Sequence, residues 1–340
     1  MKPLRYKFDD YPPQRPWNIY RLWIRSSADI IKDLWKAYTI FTKYFSSKKT
    51  ILGMLILRLF HVVSYSLGWI SGGRIRDNRD LYDYNSIKPR IVIKRDACFR
   101  SSEQLPVDMI IVTNGRMFTS KVVLPAINRL YYKPRRVIIV DDSPEPMLYS
   151  ITKWVKGDYE FAVELYHFSN KVNISFARNF GVFRANSEFV VFLDDDCVPD
   201  RLWLYHLYQT IIKDKRLAGV CGRVLPYRWD LISRYYTFYR ILEPPRDLTH
   251  ITLCNTILRR KLISEIGGFR PPPTYAGEDV DLSFRLIQAG YRLGFSPNAV
   301  VYHIYRSSPS NFVKTFYRYG RAIGYLARRF KLTDKYMFEI

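Results

Sequence analysis

Three adjacent carboxylates, Asp194, Asp195 and Asp196, follow directly on the apolar run Val190-Val191-Phe192-Leu193. A short apolar run of this kind reads as a buried strand, here bounded by a turn at Pro199. The carboxylates therefore stand at a strand's C-terminal end, where open α/β sheets bind ligands. Three neighbouring negative charges repel one another, and a cation among them removes the repulsion. Hard oxygen ligands suit Mg2+ or Mn2+, and those ions suit a diphosphate. Read alone, such a run is more often an acidic turn facing water, so its neighbours have to decide.

Two further acidic groups are placed to join it. Asp141 and Asp142 end the apolar run in RVIIVDDSP (136–144), a second strand of the same sheet half. Glu278, Asp279 and Asp281 follow Gly277 and open a helix carrying Leu282, Phe284 and Leu286. Acidic residues in a first helical turn also answer the helix dipole, which is reading enough for Asp281.

The elements that must hold these groups alternate strand and helix from residue 107. DMIIVTNG (108–115) is a strand. A helix with Val122, Val123, Ala126, Ile127 and Leu130 inward follows it. After the 136–144 strand come a third strand within 160–167, a helix from about Ser175 and the strand bearing the three aspartates. Such alternation predicts an α/β fold with a mainly parallel sheet covered by helices.

The ends of the chain differ from this middle. The formal net charge is +23 over 340 residues. Residues 1–100 carry 20 Lys/Arg against 8 Asp/Glu, and residues 301–340 carry 8 against 2. An excess of this size fits nucleic acid, anionic lipid or an anionic substrate. The α/β centre is nearly balanced and holds no nucleic-acid-binding motif, so a basic nucleic-acid-binding protein is the weaker alternative. Apolar residues at Ile31, Leu34, Trp35, Tyr38, Phe41 and Phe45 mark one helical face. Residues 51–71 are long enough to cross a bilayer. However, Arg58, His61, Ser64, Gly68 and Ser71 form one polar stripe, and a central Arg costs about 2.5–3.5 kcal/mol to insert. That favours a helix lying in the membrane plane or packed on the protein over a spanning one. Residues 72–106 read as a connector with a strand at 91–94. Phe312, Phe316, Tyr319, Ile323, Leu326 and Phe330 give 310–330 an apolar face opposite Lys314, Arg318, Arg321 and Arg328. That helix suits a membrane surface or partner groove, or else simply covers the core; the basic N-terminal region tips the balance toward the membrane. The four cysteines, Cys98, Cys197, Cys221 and Cys254, have no CxxC spacing, which argues against a zinc cluster or a disulfide framework. No secretory signal pattern is visible in the polar, Pro-rich first 16 residues.

Six segments in order, VDMIIVTNGR, RVIIVDDSP, NISFARNFGV, FLDDDCVPD, CNTILRRKLISEIGGF and GEDVDLSFRL, resemble the family 2 glycosyltransferases over about 107–303. The tail YRYGRAIG (317–324) is similar to those of bacterial and archaeal members. The resemblance implies a GT-A (Rossmann-like) fold, to which the periodicity adds basic amphipathic helices at both ends. Together they divide the chain into a basic helical region (1–100), which the resemblance does not cover, a catalytic domain (101–305) and a C-terminal helix (306–340). The resemblance implies inverting sugar transfer from a nucleotide diphosphate-sugar to an acceptor hydroxyl, aided by Mn2+ or Mg2+; the basic ends add the expectation of a glycan or lipid-linked acceptor on the cytoplasmic membrane face. By position, Thr113, Arg116, Asp142 and Arg178 would hold the nucleotide-sugar, with Asp195 beside the sugar or solvent. Asp196 would bind the metal, Asp194 the ribose or the metal, and His303 would approach the metal or diphosphate. Asp279 would be the base, with Glu278 beside it in the same acidic pair. The QxxRW motif of processive members is absent, which points to single additions. A fold kept only for membrane or partner binding, with no catalysis, is the other alternative.

Overall fold

The computed structural model describes residues 27–74, 88–97, 104–115, 119–144, 151–153, 155–156, 158–245, 247–270 and 276–331. Arg116 and Cys98 lie outside them.

Nine strands form one sheet in the order β1-β4-β3-β2-β5-β8-β7-β9-β6. They are β1 (Ile91–Arg95), β2 (Gln104–Thr113), β3 (Lys133–Asp141), β4 (Ala162–His167), β5 (Phe189–Leu193), β6 (Cys197–Pro199), β7 (Leu217–Pro226), β8 (Asn255–Arg259) and β9 (Arg292–His303). The block β4-β3-β2-β5 is parallel, whereas β8 runs antiparallel to both β5 and β7. The expected strands at 108–115, 136–144 and 160–167 are all present, and β1 adds the 91–94 strand to the sheet's edge. Alternation sorts the side chains: Phe189, Val191 and Leu193 of β5 enter one core, Val190 and Phe192 the other. Burial on both faces is why these strands read as unbroken apolar runs.

The helices are α1 (Ser27–Tyr44), α2 (Lys48–Gly73), α3 (Leu124–Ile127), α4 (Ile174–Arg184), α5 (Trp203–Ile212), α6 (Leu231–Phe238), α7 (Arg260–Glu265), α8 (Glu278–Gln288) and α9 (Pro309–Arg329). Two local expectations are corrected. The turn after β5 falls on the aspartates themselves, where the Cys197 amide donates to the Asp194 carbonyl at 3.0 Å. Pro199 instead ends β6, which pairs with β9. The helix expected after β2 is a π-helical turn, Thr119–Val123, leading into the four-residue α3. Pro125 has no amide to donate, so the i→i−4 ladder is not regular there. Val123, Ala126, Ile127 and Leu130 are buried as expected, and Val122 is half-buried.

A third core joins the two ends of the chain. Phe41 of α1, Met54 and Tyr65 of α2, Tyr235 of α6, and Phe312, Phe316 and Leu326 of α9 share it. The polar stripe of α2 turns toward this core. Arg58 donates from Nε and Nη2 to both oxygens of Asp33, each at 2.7 Å. His61 lies 2.8 Å from the Tyr235 hydroxyl and stacks on Phe316 with centroids 3.8 Å apart. Gly68 and Gly72 meet the backbone of α9 at Tyr317 and Arg321, while Gly320 and Gly324 meet α2 at Tyr65 and Trp69. A Cβ at any of the four would overlap a carbonyl oxygen, so the two GxxxG stripes set the contact. The apolar face of α9 therefore packs on the protein. This corrects the leaning toward a membrane role for that face, because α2, α6 and α8 already cover it.

What remains outward is the opposite stripe of α2. Leu52, Ile56, Leu59, Phe60, Val63, Leu67 and Ile70 are exposed, as are Ile31, Trp35 and Tyr38 of α1. Of the α1 face read from sequence, only Phe41 is fully buried, with Leu34 and Phe45 half-buried.

Candidate active site

A cavity of about 410 Å³ opens where β5, α4, α8 and α9 converge. Asp194, Asp195, Asp196, Arg178, Glu278, Asp279 and His303 all line it. Seven of the residues singled out in the sequence, separated by up to 125 positions, thus meet in one place.

Arg178 is the hub. Asn173 caps α4 by accepting from the Ser175 amide, which fixes the helix end that carries Arg178 inward. The buried Arg178 guanidinium donates to Glu278 and lies 3.5 Å from Asp194. It links the end of β5 to the start of α8. Glu278 is thereby engaged in an ion pair, while Asp279 beside it has no ion pair among the described residues. Burial, then the Glu278 charge, push the Asp279 carboxyl up to about 7, against the pull of Arg178. Asp194 is also shifted upward, first by burial and then by Asp196, with Arg178 opposing.

Asp279 is placed from below. Gly277 takes φ +89° to start α8, a backbone that side-chain-bearing residues rarely adopt. One turn on, Asp281 is fully buried and pairs with Arg285 at 2.7 Å and with Arg329 of α9 at 2.9 Å. Arg285 also donates to the carbonyls of Ile266 and Gly268, both at 2.7 Å. Asp281 is therefore an anchor held by two guanidinium groups, beyond the dipole role read from sequence.

On the other side, β6 and β9 bring Asp196 and His303 together, Oδ1 to Nε2 at 3.4 Å. The Cys197 sulfur lies within 4.8 Å of both donor atoms. Burial holds its thiol well above the usual range, so Cys197 is a protonated core residue before it is a ligand. Among the described residues the buried His303 Nδ1 has no hydrogen-bond partner. A carboxylate and an imidazole this close, with Asp194 lining the same cavity, are oxygen and nitrogen donors of a kind that Mn2+ or Mg2+ accepts.

Thr113 and Asp142 do not line the cavity. The Thr113 hydroxyl donates to Asp195 Oδ2 at 2.8 Å, giving Asp195 a fixed position that the sequence did not suggest. Asp142 accepts from the Val172 amide at 3.0 Å, and burial raises its pKa. Sequence reasoning missed the remaining walls: His250, Thr252 and Leu253 before β8, Tyr236 of α6, Tyr305 and Arg306 after β9, and Thr315, Arg318 and Tyr319 of α9. Cys254 falls in a quoted segment without having been given a role. The tail motif at 317–324 was the signal available for α9, but nothing in it said that the helix forms a wall.

Comparison with known proteins fits this geometry. The fold is that of GT-A proteins. The mannosyltransferase PcManGT from Pyrobaculum calidifontis, solved with GDP-Man and Mn2+, superposes with a TM-score of 0.56 at 18% identity over 85% of this chain and 78% of that one. GalNAc-T7, solved with UDP, GalNAc and Mn2+, gives 0.51 at 17% identity over 69% of this chain and 49% of that one. Residues 109–267 match the model described as glycosyl transferase family 2, the family that the six sequence segments resemble. A pre-mycofactocin glycosyltransferase of Mycobacterium tuberculosis is 30% identical over 208 residues, 57% of this chain and 43% of its own length. The succinoglycan biosynthesis protein ExoM of Rhizobium meliloti is 28% identical over 238 residues, 66% of this chain and 76% of its own length. The match thus spans less than half of the mycobacterial relative.

Proposed function

We propose that the chain is an inverting glycosyltransferase that moves a hexose-type sugar from a nucleotide diphosphate-sugar to an acceptor hydroxyl. The observation that carries this reading is the convergence of Asp194–Asp196, Arg178, Glu278–Asp279 and His303 on one cavity. Asp279 accepts the acceptor's hydroxyl proton. The freed oxygen attacks the anomeric carbon from the face opposite the diphosphate, through an oxocarbenium-like transition state. The bond to the diphosphate oxygen breaks and its electron pair leaves with the nucleoside diphosphate. Asp196, Asp194 and His303 would hold Mn2+ or Mg2+, which supplies charge stabilisation at the departing diphosphate. Arg178 keeps Glu278 and Asp194 in register, and Thr113 holds Asp195. Thr113, Arg116 and Asp142 are assigned to the nucleoside end. A glycan or lipid-linked acceptor fits the enzyme's location, proposed here as the cytoplasmic face of the cell membrane, where the basic ends meet anionic lipid. The organisation is a basic helical region (1–100), a catalytic domain (101–305) and a C-terminal helix (306–340).

The test is a thermal-stabilisation screen of UDP-, GDP- and dTDP-sugars with Mn2+, followed by transfer or slow donor hydrolysis with the positive donor. Asp196→Ala should abolish the cation-dependent part of donor binding. Asp279→Ala should retain binding and lose transfer. Full transfer activity in both variants would sink the assignment.

A further inference from the structure

Helix α2 differs from an ordinary surface helix, which turns a polar face to water. Its polar and small residues face the protein among the buried Ile51, Met54, Leu57, Val62 and Tyr65, and its outward stripe from Leu52 to Ile70 is apolar and exposed. The stripe is about 27 Å long at 1.5 Å per residue. Among the described residues nothing covers it. Basic residues bound it, Lys48 and Lys49 before and Arg74 after. On α1 the exposed Trp35 and Tyr38 lie beside Lys32 and Lys36, the mixture of aromatic and basic groups suited to a headgroup layer.

Length and hydropathy also fit a crossing helix. The packing argues otherwise. The C-terminal half of α2 is locked to α9 through the reciprocal glycines, and α9 exposes Lys314, Arg318 and Arg328. To cross, α2 would have to abandon that contact or draw three cations into hydrocarbon. Arg58 would in addition need Asp33 beside it at bilayer depth. A protein partner would bury the same stripe, but the charges that directly adjoin its two ends, Lys48, Lys49 and Arg74, are all positive, as an anionic lipid surface requires.

We infer that α2 lies in one leaflet of an anionic membrane without crossing it, its outward stripe in the acyl region and its two ends at the headgroups. This rests on the membrane location proposed above and adds the surface and depth of contact. Because α9 is both the neighbour of α2 and a wall of the cavity, such docking sets the cavity beside the headgroup layer, within reach of an acceptor whose lipid sits in the same leaflet.

The test uses the full chain with Cys98→Ser and sealed vesicles of about seven parts neutral to three parts anionic phospholipid. Flotation should persist at about 1 M NaCl, because apolar burial is not screened. The combination Leu59→Glu, Val63→Glu and Leu67→Glu should lower binding about 100-fold or more while leaving the donor-induced thermal shift unchanged. Lys49→Cys and Arg74→Cys, tested singly, should both react with an impermeant maleimide added outside intact vesicles. The inference is overturned if the triple variant floats like the parent, or if one of the two cysteines stays protected until detergent is added. It is overturned equally if the parent is a lipid-free dimer that the triple variant splits. Loss of the donor shift in the parent, with flotation intact, would sink the sugar-transfer reading and leave this one standing.

Discussion

At the crevice, Asp195, Asp196, Glu278 and Asp281 are carboxylates held away from water. On the outer stripe of α2, seven large apolar side chains are held against it. Each region departs from the ordinary distribution of residues, and each departure has a different source. In the crevice, like charges are tolerated because Arg178 and, behind it, Arg285 and Arg329 answer them. Residual repulsion and burial then leave Asp279 as a carboxyl with a raised pKa, which suits a proton acceptor near neutral pH. On α2 the inversion arises because the polar stripe is already engaged by Asp33, Tyr235 and the backbone of α9. Repulsion between like charges marks the crevice as a place for chemistry. Full engagement of one face marks the other face of α2 as a place for contact.

The sharpest way to break this contrast is at Asp279. Asp279→Asn should lower transfer about 10²–10⁴-fold, the usual contribution of a general base, with donor affinity nearly unchanged in calorimetry. Equal losses in the turnover and binding terms would assign the residue to binding instead.

Next is the hub. Arg178→Met leaves the buried Glu278 and the half-exposed Asp194 without their cation; the uncompensated Glu278 should dominate and destabilise the fold by about 3 kcal/mol in urea titration. A neutral result would mean that the crevice admits enough water to solvate both carboxylates. The comparable lesion in the flank is Gly72→Leu. Placing a side chain against the Arg321 carbonyl should cost about 1–3 kcal/mol or more, and should perturb the cavity through the α9 wall. If stability falls and donor binding does not, the flank and the crevice are mechanically separate.

A smaller effect concerns pH. A base with a pKa of about 7 gives a rising limb in kcat/KM, tenfold per unit below that value and flat above it. Since Glu278 is the second cause of the upward shift, Glu278→Gln should move the limb to lower pH, and it also frees Arg178 to act on Asp279. The stability sign is opposite to that of a salt-bridged carboxylate. The folded state holds the Asp279 proton more tightly than the unfolded chain, so this group's contribution falls as pH rises from about 4 to about 7. A bound divalent cation near Asp194 and Asp196 would shift the limb further toward acid.

Much of the crevice was legible because its pieces are local. A strand ending in three aspartates and a helix opening on Gly-Glu-Asp each announce themselves in a few residues. Their order along the chain implied one sheet, and the observed β2, β3, β4 and β5 bear that out. Less local features escaped. The hydrogen bond from Thr113 to Asp195 joins positions 82 apart, and no periodicity reports it. The turn was misplaced at Pro199 because a proline ending a three-residue edge strand has the same sequence pattern as a turn proline. For α9 the period was right and the direction was not, since a basic amphipathic pattern does not say what its apolar face meets.

The sequence by itself determined which residue types were available for chemistry: paired carboxylates at strand and helix ends, with Arg178 and His303 singled out by the resemblance. It also determined that α2 has two unlike faces, because helical periodicity is a property of a single segment. Tertiary structure alone decided which face of α2 turns inward and which acid becomes the free one. Both outcomes depend on partners distant in the chain. The glycines of α9 and the Asp33 carboxylate claim one side of α2. Arg178 and burial in the crevice separate Glu278 from Asp279, two neighbours of nearly identical intrinsic acidity.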